Sequence, residues 1–229
     1  MFEIYQRHAD RYNELVDAED YQGNLTRCLL GLTDWTGKSV LEAGVGTGRV
    51  TAIYAEHPAR IACLDISSHM IESARTRLAS FAEKLTFHQA DNIDLPTLGS
   101  RYDVFIEGWS WGHSIVGSGD AVDTTTQTLF DGVRRNTTRN AEIIIIETLG
   151  TNVRRPEAPH RQLQEFYAML ESRYNLRRSI VSTDYAFENP SQAANVLGRF
   201  FGDEMKQEII RAGAAVVQEF TGVWYGRMQ

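Results

Sequence analysis

The run Glu42-Ala43-Gly44-Val45-Gly46-Thr47-Gly48 sets three glycines at every second position directly after the apolar Val40-Leu41. Glycine tolerates positive φ and lets bare backbone approach a ligand, so such a loop can seat a nucleotide-like molecule. Its candidate contacts are Glu42, Gly44, Val45, Gly46 and Gly48. The spacing also discriminates among ligands. A dinucleotide loop, G-x-G-x-x-G counted from Gly44, needs its third glycine where Arg49 stands, and here Gly48 falls one residue early. That counts against NAD and FAD. Asp65, 17 residues after Gly48, has the chemistry to accept both hydroxyls of an adenosine ribose. Asp91 and Asn92 can accept from an exocyclic amine while Ile66 and Met70 enclose the ring.

Each feature has a plainer reading. The glycines can make a tight strand-to-helix turn, Asp65 can cap the helix that follows, and Asp91-Asn92 can form an Asx turn. What favours one shared ligand is their recurrence at the ends of three successive candidate strands.

The elements that position these residues follow from apolar patterning. Short apolar runs alternate with amphipathic stretches from Ser39 to Gly150, which is how a parallel sheet with crossover helices is written into sequence. The expected strands are Ser39–Ala43, Ile61–Asp65, Leu85–Gln89, Tyr102–Glu107 and Ala141–Glu147, all but the third largely apolar on both faces and so covered by helices on both sides. Helical spacing links Val50, Ile53, Tyr54 and His57, and also Met70, Ala74 and Leu78 after Ser67 and Ser68 as candidate N-caps. A weaker helix covers Asp120–Arg135. Beyond Gly150 the pattern predicts a helix around Leu163–Leu170, a strand near Ile180–Phe187, a helix from Ser191 to about Arg211 and a final strand Ala215–Trp224. Phe2–Leu32 reads as one or two helices.

Length and composition fit one α/β domain over residues 1–229: an N-terminal helical cap (1–37), a ligand-binding core (38–150) and a C-terminal part (151–229) whose helical insertion spans about 191–211. With 42% hydrophobic residues the chain can bury a core, and a net charge of −7 disfavours gripping phosphate backbones or anionic lipid. No apolar run approaches the ~20 residues that span a bilayer. Cys28 and Cys63 are too few for a disulfide framework and read as buried and inert. No nucleic acid, no membrane and a cytoplasmic location are expected.

Glu42-x-Gly44-x-Gly46-x-Gly48, Asp65 and Asp91-Asn92 resemble the first motif, the ribose-binding acid and the adenine-side position of the class I S-adenosylmethionine-dependent methyltransferases. The match covers roughly Tyr21 to Gly150. More loosely, Asp20–Asn24, Gly108–His113, Glu147–Gly150 and Thr221–Trp224 resemble a small bacterial subgroup whose substrate the likeness does not supply. The resemblance implies a Rossmann-like, doubly wound, seven-stranded sheet, mostly parallel with the last strand antiparallel, and S-adenosylmethionine as cofactor with S-adenosylhomocysteine as product. It implies further that the N-terminal segment folds over the cofactor, so that Tyr21 or Tyr12 meets the methionine carboxylate.

In that fold the fourth strand delivers Glu107 to His113 beside the reactive methyl, which gives Glu107, Gly108 and Trp109 as further cofactor contacts. Trp109 and Trp111 can form an aromatic wall or plain core. His113, in a glycine-flanked loop, is the candidate general base and a substrate contact, or else satisfies backbone carbonyls. Glu107 and Glu147 can be paired carboxylates or can accept from substrate or cofactor. Trp111 and Glu147 complete the expected substrate side. A metal is not expected, because Thr148 follows Glu147 where catechol-type enzymes carry an Asp-Asn pair. The expected reaction is in-line methyl transfer to O or N of a small molecule. A cofactor-binding protein without catalysis and, more distantly, a nicotinamide oxidoreductase are the competing classes. The apolar stripe of the insertion (Val196, Leu197, Phe200, Phe201) suits a lid over the substrate side, an outer helix or a homodimer contact.

Overall fold

The computed structural model describes residues 9–228, with side chains from Tyr12 onward, so residues 2–8 of the expected N-terminal helix lie outside the described part. Two helices precede the sheet, α1 (Ala9–Val16) and α2 (Asn24–Leu32). The core alternates β1 (Ser39–Ala43), α3 (Arg49–Tyr54), β2 (Arg60–Asp65), α4 (Ser68–Arg77), β3 (Leu85–Gln89), β4 (Tyr102–Gly108), α5 (Trp111–Gly117), α6 (Val122–Asn136) and β5 (Thr137–Thr151). Then follow α7 (Arg161–Ser172), β6 (Arg177–Ser182), β7 (Tyr185–Ala186), α8 (Pro190–Phe201), α9 (Asp203–Ala212), β8 (Val216–Val217) and β9 (Glu219–Arg227).

Seven strands form one sheet in the order β3-β2-β1-β4-β5-β9-β6. All run parallel except β9, which is antiparallel to both β5 and β6. This is the doubly wound α/β sheet with an antiparallel last strand. Successive side chains on a strand alternate faces, and the two core layers follow that parity. Leu41, Phe105, Ile143 and Ile145 pack with α5, α6 and α7, while Val40, Val104, Ile106, Ile144 and Ile146 pack with α2 and α3 on the other face. Both layers are dry, so β1, β4 and β5 had to be apolar on both sides.

Five expectations change. Strand β5 extends well beyond Ala141–Glu147, past a register shift opposite Tyr102 and Val104 with Asn140 at φ 66°. Thr137 pairs with Tyr102 of β4, and the polar Thr138–Asn140 form the irregularity between that pair and Glu142 opposite Val104. The single helix expected from Ser191 is two helices, broken at Gly202 with φ 95°. They pack closely because Gly198 has no side chain; a Cβ there would stand 2.7 Å from Lys206 Cβ. The strand near Ile180–Phe187 divides into β6 and β7, and the last strand into β8 and β9, with β7 and β8 pairing as a separate two-stranded ribbon. Finally, the expected loop at 108–113 is already helical from Trp111.

Candidate active site

A cleft of ≈ 900 Å³ opens at the carboxyl ends of β1 to β4, where ligands of open parallel sheets bind. Its floor is the glycine turn. Gly44, Gly46 and Gly48 have φ of 68°, 54° and 83°, a left-handed path that β-carbons would strain. Gly44 also sits against α5's entry, where a Cβ would lie 2.2 Å from Ser110 Cβ, whereas at Gly46 the nearest heavy atom to a Cβ is Tyr12 Cε1 at 3.9 Å. Gly44→Ala should therefore cost about 3 kcal/mol, summing left-handed strain and overpacking, and Gly46→Ala only about 1 kcal/mol. Thermal melts of the two variants check this; equal shifts would contradict the close approach at Gly44.

Asp65, at the end of β2, lines the cleft and braces the turn. Its Oδ2 accepts from the Gly46 N–H at 2.8 Å and its Oδ1 from the Ser67 N–H at 2.8 Å. Burial raises its pKa, and these hydrogen bonds oppose the rise. Met70, buried, and Ile66, exposed, line the cleft together with Asp91 and Asn92. Asp91 Oδ1 also accepts from the Ile93 N–H at 2.9 Å, so the Asx turn and a ligand-facing position coexist. Gly108 and Trp109 form the wall from β4. Trp109 takes φ 52°, unusual for a non-glycine residue. It is held there by its N–H donating to Ile146 O at 2.7 Å and by Arg49, whose Cζ lies 4.4 Å from the indole centroid. Arg49 is fixed in turn by Glu19 at 3.0 Å.

Several expected contacts lie elsewhere. Glu42 turns away from the cleft and accepts from Thr51 Oγ1 at 2.7 Å and from the Tyr54 hydroxyl, and burial pushes its pKa up to about 7. Val45 is buried, its N–H donating to Leu64 O, and Gly48 starts α3 behind the loop. Tyr21 is half exposed outside the cleft; Tyr12, from α1, lines it, with burial pushing its hydroxyl up to about 12 so that it stays neutral. Trp111 is core, packed against Phe105, Phe130 and Phe166. Glu107 and Glu147 are buried beneath α5 and do not line the cleft. His113 does, from α5 rather than from a loop, and the surrounding protein lowers its pKa although the ring is exposed at the mouth.

Sequence reasoning missed Arg49 and Glu19 as supports of Trp109, and the hydroxyls of Ser114, Ser118 and Thr125 that line the outer cleft. Ser114 and the C-cap Ser118 belong to a helix, α5, that the sequence did not predict, and Thr125 to the weaker helix α6, so no spacing singled them out. Among the described lining residues the charged ones are Asp65 and Asp91; no Lys or Arg lines the cleft.

Sheet order and cleft together define a class I methyltransferase fold. Residues 40–126 match the family described as methyltransferase domain. A 67-residue stretch is 40% identical to magnesium-protoporphyrin O-methyltransferase of Rhodobacter capsulatus, covering 29% of this chain and 30% of that protein, so the match spans about a third of that relative's length. The fold matches the YcgJ protein of Bacillus subtilis with a TM-score of 0.62 at 13% identity, over 91% of this chain and 99% of that one. It also matches the N-methyltransferase NodS of Bradyrhizobium japonicum in complex with S-adenosylhomocysteine, with a TM-score of 0.56 at 14% identity, over 93% and 90% of the two chains.

Proposed function

We propose that this protein is an S-adenosylmethionine-dependent methyltransferase acting on O or N of a small molecule. The observation that carries the reading is the convergence on one cleft of the left-handed Gly44 and Gly46, the Asp65 carboxylate, Asp91-Asn92 and His113. The residues fit the cofactor chemically. Each Asp65 oxygen accepts one backbone amide and keeps a second acceptor position for a ribose hydroxyl. Met70 and Ile66 offer apolar surface to an adenine, and two acidic residues with no described cation in the lining suit a positively charged sulfonium. When bound, the cofactor supplies an activated methyl group for in-line displacement.

The chain's own part is to align the acceptor, exclude water and take a proton. Trp109, rigid on Arg49, shapes the wall beside the acceptor. His113 accepts the acceptor's proton, and its lowered pKa keeps the imidazole neutral at pH 7. The carboxylates of Asp65 and Asp91 in the lining favour a neutral or amine acceptor over a carboxylate or phosphate. The net charge of −7 argues in the same direction against nucleic acid. No helix among the described residues is long and apolar enough to cross a membrane. The α8–α9 insertion packs on α1 and the β7–β8 ribbon through Leu15, Phe200 and Val217, and so supports Tyr12 at the cleft; among the described residues it contributes no lining of its own.

Calorimetric titration with S-adenosylmethionine and S-adenosylhomocysteine, followed by transfer of a labelled methyl group into a metabolite mixture, tests the proposal. Absence of heat with both ligands would refute it. His113→Ala should lower turnover ~10²–10⁴-fold with cofactor affinity unchanged. In the parent protein the acid limb of the rate profile should lie below the ordinary imidazole value of 6.5, because activity is lost only as His113 protonates. Equal losses in binding and turnover would make His113 a structural residue of the wall.

A further inference from the structure

Behind the wall that carries His113, two glutamates unused by methyl transfer meet beneath the first turn of α5. Glu107 Oε2 accepts from the Ser110 N–H at 3.2 Å, the Ser110 hydroxyl at 2.9 Å and the Trp111 N–H at 3.2 Å. Glu147 Oε1 accepts from the Gly112 N–H at 2.6 Å. Three successive amides of one turn are thus gripped by two carboxylates from adjacent strands. The contact requires a glycine, since a Cβ on Gly112 would stand 2.7 Å from Glu147 Oε2. Strand parity explains the meeting: Glu107 shares a face with Phe105, and Glu147 shares that same face with Ile143 and Ile145.

Both side chains are buried, at 0% and 2% exposure, and Glu107 Oε1 is enclosed without a hydrogen-bond partner. No described Lys or Arg forms an ion pair with either carboxylate. Among the described residues the other titratable group facing them is Tyr167 from α7, whose hydroxyl donates to Thr148 O. Two adjacent carboxylates in such surroundings do not both ionise at neutral pH.

We propose that Glu107 and Glu147 hold one proton between them and form a positioning pair for α5, which sets where His113 and Ser114 stand in the cleft. The shared proton supplies the partner that Glu107 Oε1 lacks. In keeping with this, burial pushes Glu107 up to about 7, and burial followed by the charge of Glu107 raises Glu147 well above the carboxylate range. As pH rises, the pair loses its proton, gains a second buried negative charge and loosens the first turn of α5.

The test is the amide and indole resonances of Trp111 and the amide of Gly112 in the full-length protein between pH 6 and pH 10, with saturating S-adenosylhomocysteine. In the parent protein these signals should titrate and their amide exchange should accelerate with pH beyond the intrinsic increase. In Glu147→Gln the amide oxygen still accepts from Gly112 and only Glu107 can ionise, so these signals should be flat above about pH 8, where no second charge can form. Glu147→Ala should shift them at every pH. With an acceptor in hand, kcat should fall in Glu147→Ala and recover in Glu147→Gln while cofactor KM stays within about twofold. Signals independent of pH in the parent protein, or an unaltered titration in Glu147→Gln, would overturn the pairing. The catalytic consequence rests on the methyltransferase reading, whereas the resonances do not. Failure to bind S-adenosylhomocysteine would sink that reading alone, and the titration would then be read without ligand.

Discussion

Asp65→Ala should weaken S-adenosylhomocysteine binding by at least tenfold, the largest loss expected from any single side chain of the cleft. Two effects add. Hydrogen bonds from ribose hydroxyls to an ionised carboxylate contribute about 1.5–3 kcal/mol, which is roughly ten- to a hundredfold in affinity. The same carboxylate holds the Gly46 N–H and the Ser67 N–H, so removing it also frees the left-handed turn that must be in place before the ligand arrives. Asp65→Asn should fall in between, because one oxygen cannot accept from both amides and its new N–H donors face them. Asp91→Ala should cost less: Asp91 is exposed and braces only its own Asx turn. Calorimetry on the three variants gives the order directly. Unchanged affinity in Asp65→Ala would place the ribose elsewhere in the cleft.

Much of the fold was legible because buried parallel strands write unbroken apolar runs. β1 and β3 have the expected bounds, β4 is longer by Gly108 and β2 begins one residue earlier, at Arg60. The glycine turn, Asp65 and Asp91-Asn92 were legible for a related reason: each falls at a strand's carboxyl end, and topology brings those ends together. The direction in which a polar side chain leaves a strand was harder to read. Glu42 shares the parity of Val40, and that face packs on α3, so its carboxylate meets Thr51 and Tyr54 instead of the cleft. The opposite parity places Glu107 and Glu147 under α5, on the face of Phe105, Ile143 and Ile145, and parity becomes informative only when the helix above each face is known.

Local reasoning failed most clearly at Gly108–His113. Two glycines, a serine and two tryptophans read as a loop, yet α5 starts at Trp111 because the Glu107 carboxylate accepts the amides at its start and Trp111 anchors in an aromatic cluster. Both stabilising groups lie outside the helix. Propensity within the segment carries no trace of them. The break at Gly202 is the converse case: a glycine visible in the sequence, whose meaning depends on Gly198 allowing a second helix to approach.

The second large effect concerns stability, which should be greatest on the mildly acidic side of neutrality and fall as the solution becomes alkaline. Burial pushes Glu42 and Glu107 up to about 7 and Glu219 up to about 8, and raises Glu147 well above the ordinary 4.5. A group whose folded pKa is raised contributes stability that is fully present below its unfolded value and is lost as pH climbs through the folded one. The window therefore runs from about pH 5 to beyond pH 8, with all four groups acting in the same direction. Asp103, whose pKa is lowered, works oppositely but only at acid pH, as it protonates below its usual 3.8. Glu42 isolates the effect. Ionising it without a cationic partner, with Thr51 and Tyr54 as its hydrogen-bond donors, should remove on the order of 3 kcal/mol. About 2 kcal/mol of this falls between pH 5.5 and pH 9, and at ~2–4 °C per kcal/mol for a chain of this size Glu42 alone should lower Tm by roughly 4–8 °C over that range. Glu42→Gln keeps an acceptor for one hydroxyl and cannot ionise, so its melting temperature should be lower than the parent's at pH 5.5 but fall less steeply with pH. Parallel curves for the two proteins would show that Glu42 is already ionised in the folded state, stabilised by the Thr51 and Tyr54 hydroxyls against the cost of burial.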